Sequence, residues 1–258
     1  MMCQVCKGKG FLTFGEGMFA QARLCSCRSP CPLCGGTGFA LDADGKAKRC
    51  ECTLLAQRLM LFNSAKIPAI MHDKSIETYR ELGGNQAIVK LNMMRYMQSF
   101  PPTKNKGLLL WGGTGVGKTH LVCSLAKYLT LNLGHSVAYT TFEDTVPLFR
   151  QAIMEGESIE SVIPALVSAD CFILEDIGEG TVSEFRLHCL DMCVSTRYNA
   201  GKILVVTTRF PPESQNETPS LKERVGERVF SRLCEMCEFL QVSGPDYRRR
   251  SGGLVEEM

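Results

Sequence analysis

GLLLWGGTGVGKT, from Gly107 to Thr119, decides the fold. Its first five residues form a short, unbroken apolar run, as a strand buried on both faces of a parallel sheet requires. The next eight, Gly112, Gly113, Thr114, Gly115, Val116, Gly117, Lys118 and Thr119, satisfy GxxxxGK[ST] in full. The segment THLVCSLAKYLTLNL that takes over at Thr119 has helical length and spacing. Strand, glycine loop and helix N-terminus in that order make a cradle for a triphosphate. Backbone N–H groups wrap the phosphates, the helix dipole favours their charge, Lys118 reaches the β- and γ-phosphates, and the Thr119 hydroxyl ligates Mg2+.

Outward from this loop, apolar runs alternate with longer helical patterns. SVAYTT, CFILE, KILVVTT and FLQV supply four more strands, and VSEFRLHCLDMCVSTRYN is a further helix. The alternation predicts an α/β domain: a parallel five-stranded sheet with helices on both faces. CFILEDIG places Glu175 and Asp176 at a strand end about sixty residues after the loop, where acids hold magnesium and orient water. LKERVGERVFSRL reads as one helix with Arg224, Arg228 and Arg232 four residues apart on one face. Such a stripe is either solvated or meets something anionic. EDTVPLFRQAIMEGESIESVIPALVSAD reads as a helix pair in which Arg150 is the one basic residue.

Upstream, TLLAQRLMLFNSAKIP predicts a helix ending before Pro68. This divides the chain into a cysteine-rich module (1–54), a linker helix (55–66) and the α/β domain (67–258). Eight of the fourteen cysteines fall in the first 52 residues. CQVCKGKGF and CPLCGGTGF repeat almost letter for letter, each followed by a CxC. The sets Cys3, Cys6, Cys25, Cys27 and Cys31, Cys34, Cys50, Cys52 predict two tetrahedral thiolate sites for Zn2+, paired within each repeat or between repeats. A segment with so few apolar side chains needs such staples to fold. The module carries seven Lys or Arg against four Asp or Glu, and eight thiolates on two zinc ions bring it close to neutral. That balance suits protein docking better than an electrostatic DNA clamp. Cys234 and Cys237 read as core packing, and His120 as a positional residue. The formal net charge of +2 carries no whole-chain nucleic-acid signature. No apolar run has the length of a membrane span and no secretory signal is evident, so a cytoplasmic protein is expected.

KGLLLWGGTGVGKTHL, ADCFILEDIG, VVTTRFPPE, GERVFSRL and SGPDYR, with the lead-in IPAIMHDKSIETY, resemble the AAA+ ATPases of the DnaC helicase-loader and IstB transposition-helper group over residues 67–248. The resemblance implies ATP as the ligand and a domain without a separate lid. It assigns Lys118 and Thr119 to phosphate and magnesium, Glu175 to the magnesium-side acid, and Asp176 to the acid that polarises water. Two positions depart from the group's pattern. Glu175 stands where Asp is usual, and Arg209 stands where an Asn sensor is usual. The resemblance also makes Arg232 a finger inserted into a neighbour's nucleotide site, hence an ATP-dependent homo-oligomer. Arg248 is implied as a second nucleotide sensor or a nucleic-acid contact, and the helix pair after the second strand faces single-stranded DNA. A replicative helicase is the implied partner, with a transposase as the alternative, and a weakly hydrolysing zinc-dependent interaction protein as the third reading. The cysteine knuckles resemble those of the DnaJ cysteine-rich domain, with CxC replacing half of its units.

Overall fold

In a computed structural model of the chain, residues 3–158, 164–214 and 218–251 are described. The five apolar runs form β5 (Gly107–Trp111), β6 (Val137–Thr141), β7 (Cys171–Glu175), β8 (Ile203–Thr208) and β9 (Cys237–Gln241). They make one parallel sheet in the order β6-β7-β8-β5-β9. The strand that feeds the phosphate loop therefore lies beside β8, and β7 lies on β8's other side. Parallel strands all end at one edge, so Trp111, Glu175 and Thr208 deliver the loops that follow them to the same rim.

Helices α2 (Gln86–Gln98) and α3 (Lys118–Tyr128) cover one face of the sheet. Leu121, Val122 and Leu125 of α3 join Val89 and Met93 of α2 in a buried cluster with Leu108, Leu110, Ile173 and Val205. The other face carries α4 (Phe142–Glu155), α5 (Pro164–Ser168), α6 (Glu184–Asn199), α7 (Leu221–Val225) and α8 (Glu227–Met236). Phe149, Leu190 and Leu233 pack there against Leu109, Phe172 and Val206. The short helix α9 (Tyr247–Ser251) closes the described chain. Of the expected helix pair after β6, α4 and α5 are described; residues 159–163 between them lie outside the described residues.

LKERVGERVFSRL is two helices rather than one. Gly226 has φ of +84°, which ends α7 and begins α8 at a corner. Arg224 therefore does not share a face with Arg228 and Arg232, and it turns to the loop after β7.

The cysteine-rich segment folds as two hairpins, β1 (Phe11–Glu16) with β2 (Phe19–Leu24), and β3 (Phe39–Leu41) with β4 (Ala47–Arg49). Helix α1 (Glu51–Ser64) starts inside the second repeat, so Cys52 stands on its first turn. The first hairpin joins the α/β core: Ala20 and Ala22 are buried with Phe62 and Leu125. Ala20 N–H donates to the Ile67 carbonyl at 2.7 Å, and Asn63 of α1 brackets both backbone groups of Ala22. The second hairpin is exposed, with Phe39 and Leu41 presenting apolar side chains to solvent. Among the described residues, no helix is long and apolar enough to cross a membrane.

Candidate functional site

The glycine loop opens into a cavity of about 540 Å³. Thr114, Gly115, Val116, Gly117, Lys118 and Thr119 line it, together with Asp176, Arg209 and Arg248. Residues from four separate segments thus meet at one place. Lys118 is only 8 % exposed, and its Nζ donates to the Gly112 and Gly113 carbonyls at 2.7 and 2.8 Å. Burial lowers its pKa while the carboxylates of Asp176 and Glu175 oppose that. An ammonium drawn partly out of water beside a loop of N–H groups is primed for phosphate oxygens.

Glu175 and Asp176 play different parts. Glu175 is 2 % exposed, and the Tyr139 and Thr207 hydroxyls donate to its carboxylate, the latter at 3.3 Å. Burial raises its carboxyl to about 7 even though those hydroxyls and that of Thr119 pull it down. Asp176 faces the cavity from a backbone with φ of +56°, its N–H anchored on Thr207 Oγ1 at 3.0 Å. Asp tolerates the left-handed region better than most residues do. Thr119 and Asp176 line the cavity, and Glu175 lies buried behind them within reach of the Thr119 hydroxyl.

Three wall residues escape a motif search. Tyr79 Oη and Gln86 Nε2 both donate to the Val116 carbonyl, at 3.1 and 3.2 Å, which fixes the crest of the phosphate loop. The Tyr79 ring also stands where a Cβ on Gly117 would fall, so glycine is required there. Glu179 lies 3.0 Å from Arg209 Nε. Tyr79 belongs to the lead-in IPAIMHDKSIETY, of which Met71, Lys74 and Thr78 also line the cavity; Gln86 and Glu179 carry no pattern at all. His120 Nε2 donates to the Ser75 carbonyl (2.8 Å), and the ring stands edge-on to Tyr79, a positional role.

Two of the α8 arginines meet an anion inside the chain. Arg232 Nη1 lies 2.9 Å from Asp191 Oδ1 and its guanidinium covers the Tyr198 ring. Arg228 reaches the same carboxylate at 3.6 Å with a side chain 70 % exposed. Neither lines the cavity of its own chain. Arg150 stacks on Phe185. Cys237 is buried in the core as expected, but Cys234 is exposed.

The eight N-terminal cysteines gather as Cys3, Cys6, Cys25, Cys27 and as Cys31, Cys34, Cys50, Cys52, so pairing is within each repeat. Cys3–Cys25 and Cys6–Cys27 sulfurs are 3.9 and 3.5 Å apart, and Cys31–Cys50 and Cys34–Cys52 sulfurs 3.7 and 3.5 Å. A tetrahedral ion with sulfur ligands at about 2.3 Å has edges of about 3.8 Å, so both sets fit one. Gly10 and Gly38 N–H groups donate to Cys6 and Cys34 sulfurs. Backbone donors pull Cys3 and Cys34 down to about 6, whereas sharing a proton with Cys6 and Cys34 pushes Cys27 and Cys52 up to about 12. Four thiolates so close need a cation to ionise together.

The family described as IstB-like ATP binding protein matches residues 51–253. The chromosomal replication initiator DnaA of Caldanaerobacter subterraneus is 28% identical over 149 residues, covering 55% of this chain and 30% of that protein. The chain thus spans between 25% and 40% of the length of the initiators it matches. The ATP-binding protein of insertion sequence IS5376 from Geobacillus stearothermophilus is 25% identical over 60% of either protein. The replicative helicase loader DnaC of Escherichia coli K12 is 23% identical over 75% of this chain and 73% of the loader. A crystal structure of the DnaC helicase loader superimposes with a TM-score of 0.60 at 24% identity, over 67% of this chain and 99% of that one. That likeness shows a shared fold. With the glycine loop, the acidic strand end and the family match extending over most of the sequence, this chain belongs to the IstB-like ATP-binding protein family.

Proposed function

We propose that the chain is a helicase loader-like AAA+ ATPase of DNA replication, in which ATP acts as an assembly switch. The cavity above Lys118 carries this reading: the phosphate loop, Asp176 of the acidic strand end, Arg209 and Arg248 converge there. ATP with Mg2+ held by Thr119 and the Glu175–Asp176 pair would order the rim, and Asp176 would orient the attacking water. Hydrolysis would then be prompted in a ring by a neighbour's arginine, either Arg232 released from Asp191 or the already exposed Arg228. Arg248 lines the cavity and suits a second sensor. In Arg232→Ala, nucleotide binding is spared and turnover falls; unchanged turnover there removes Arg232 as the finger and leaves Arg228, and unchanged turnover in Arg228→Ala as well removes the finger assignment.

Zn2+ suits both cysteine clusters, since four sulfurs and a closed tetrahedron are its structural arrangement. Residues 1–54 then serve as an adaptor, 55–66 as its link, and 67–258 as the ATPase. The exposed second repeat, with Leu33, Phe39 and Leu41, is the docking surface for a ring helicase, and single-stranded DNA passes the helices after β6. Such partners place the chain in the cytoplasm. The likeness to the IS5376 protein supports a second reading, a transposition helper acting on a transposase.

The test is binding of purified replicative helicase with Mg2+-ATP, comparing the unsubstituted chain with Leu41→Asp. Helicase retention lost in the variant supports the loader reading. No retention by either chain, with a transposase retained instead, moves the assignment to the transposition helper.

A further inference from the structure

The loop after β7 is held by arginines at three consecutive carbonyls. Arg224 of α7 donates through Nε to the Gly178 carbonyl at 2.7 Å and through Nη2 to that of Gly180. Arg186 of α6 donates to the Glu179 carbonyl at 3.0 Å and is ion-paired with Glu143 at the start of α4. With its carbonyls fixed from two helices, the loop sends the Glu179 side chain out from a set position. That side chain meets Arg209 Nε at 3.0 Å, and the Arg209 guanidinium also lies 4.9 Å above the Phe210 ring. Both side chains line the nucleotide cavity with Lys118, Thr119 and Asp176.

We infer that Glu179 is a positioning residue that holds Arg209 away from the phosphates until the γ-phosphate of ATP takes the guanidinium from it. The inference rests on reading the cavity as an ATP site. An arginine bound to a carboxylate serves a phosphate only after that pair is broken, and a phosphate offers the same two-pronged acceptor. ATP presents one more such group than ADP, so the Glu179–Arg209 pair opposes ATP more than ADP and sets the preference between them. The pair is half-exposed on the arginine side, 52 % against 24 % for Glu179, so its opposition is modest.

Calorimetric titration of ATP and of ADP, each with Mg2+, into the unsubstituted chain, Glu179→Gln, Arg209→Ala and the double variant tests this. Glu179→Gln raises ATP affinity about two- to five-fold and ADP affinity less. Arg209→Ala lowers ATP affinity and makes the Glu179 substitution silent. An unchanged ATP-to-ADP ratio in Glu179→Gln overturns the inference alone. So does an equal gain in the Arg209→Ala background, which is simple charge repulsion from Glu179. Failure of the unsubstituted chain to bind either nucleotide overturns the ATP reading itself, and the inference with it.

Discussion

Glu175→Gln stabilises the nucleotide-free protein above neutral pH and removes magnesium-dependent turnover. The carboxyl is 2 % exposed at the end of β7, and burial lifts it from an ordinary 4.5 to about 7. Unfolding returns it to water and to its ordinary value. Between those two values the native state holds more proton than the unfolded chain, so stability falls as pH rises through that window. At about 1.4 kcal/mol for each pH unit, the climb costs about 3 kcal/mol by pH 8. Gln is nearly isosteric, keeps an oxygen for the Tyr139 hydroxyl and carries no charge to desolvate. Urea unfolding of both chains without nucleotide at pH 5 and pH 8 measures the difference. The variant is more stable by about 3 kcal/mol at pH 8 and by less than about 1 kcal/mol at pH 5. Parallel pH dependence in the two chains refutes the reasoning, since the native carboxylate would then be as well solvated as the unfolded one. The stability cost is consistent with function, because a magnesium ion bound nearby favours the ionised acid that the empty site disfavours.

Other perturbations separate the parts of the molecule. Lys118→Ala lowers ATP affinity at least about ten-fold in a calorimetric titration, since its ammonium is the charged donor of the loop. Metal analysis of the purified chain gives two zinc ions; Cys6→Ser and Cys34→Ser each leave one, but only Cys6→Ser lowers the thermal midpoint of the nucleotide-binding domain, because only the first hairpin lies in its core. Arg197→Met costs about 3 kcal/mol or more in urea unfolding. Its fully buried guanidinium donates to the carbonyls of Leu166, Ala169, Asp170 and Ile203, and substitution leaves them without that donor.

Much of the α/β domain was legible because its signals are local. An apolar run, a glycine loop and a helical spacing identify themselves without reference to distant residues, and all five strands form where the runs lie. The corner at Gly226 was less visible, since one glycine is tolerable inside a helix and its left-handed φ is not written in the letters. Ser220 and Glu223 form a capping box that marks where α7 starts but not where it ends. The partnering of cysteines follows from tandem repeats only once the hairpins are folded. Attachment of the first hairpin to the core had a faint signal, the alternation of Ala20 and Ala22 with polar neighbours in FAQARL. Tyr79, Gln86 and Glu179 reach the site through contacts across 30 residues or more, and sequence spacing holds no record of such contacts. The arginine stripe shows the same limit: the anion it meets, Asp191, lies in another helix.

The most direct test of ATP as an assembly switch is the mass of the purified chain in solution, measured by light scattering with and without Mg2+-ATP, beside Lys118→Ala. The expected result is monomers without nucleotide, a larger closed assembly with ATP, and monomers throughout for the variant. An unchanged mass at ATP concentrations that calorimetry shows to be saturating would contradict it.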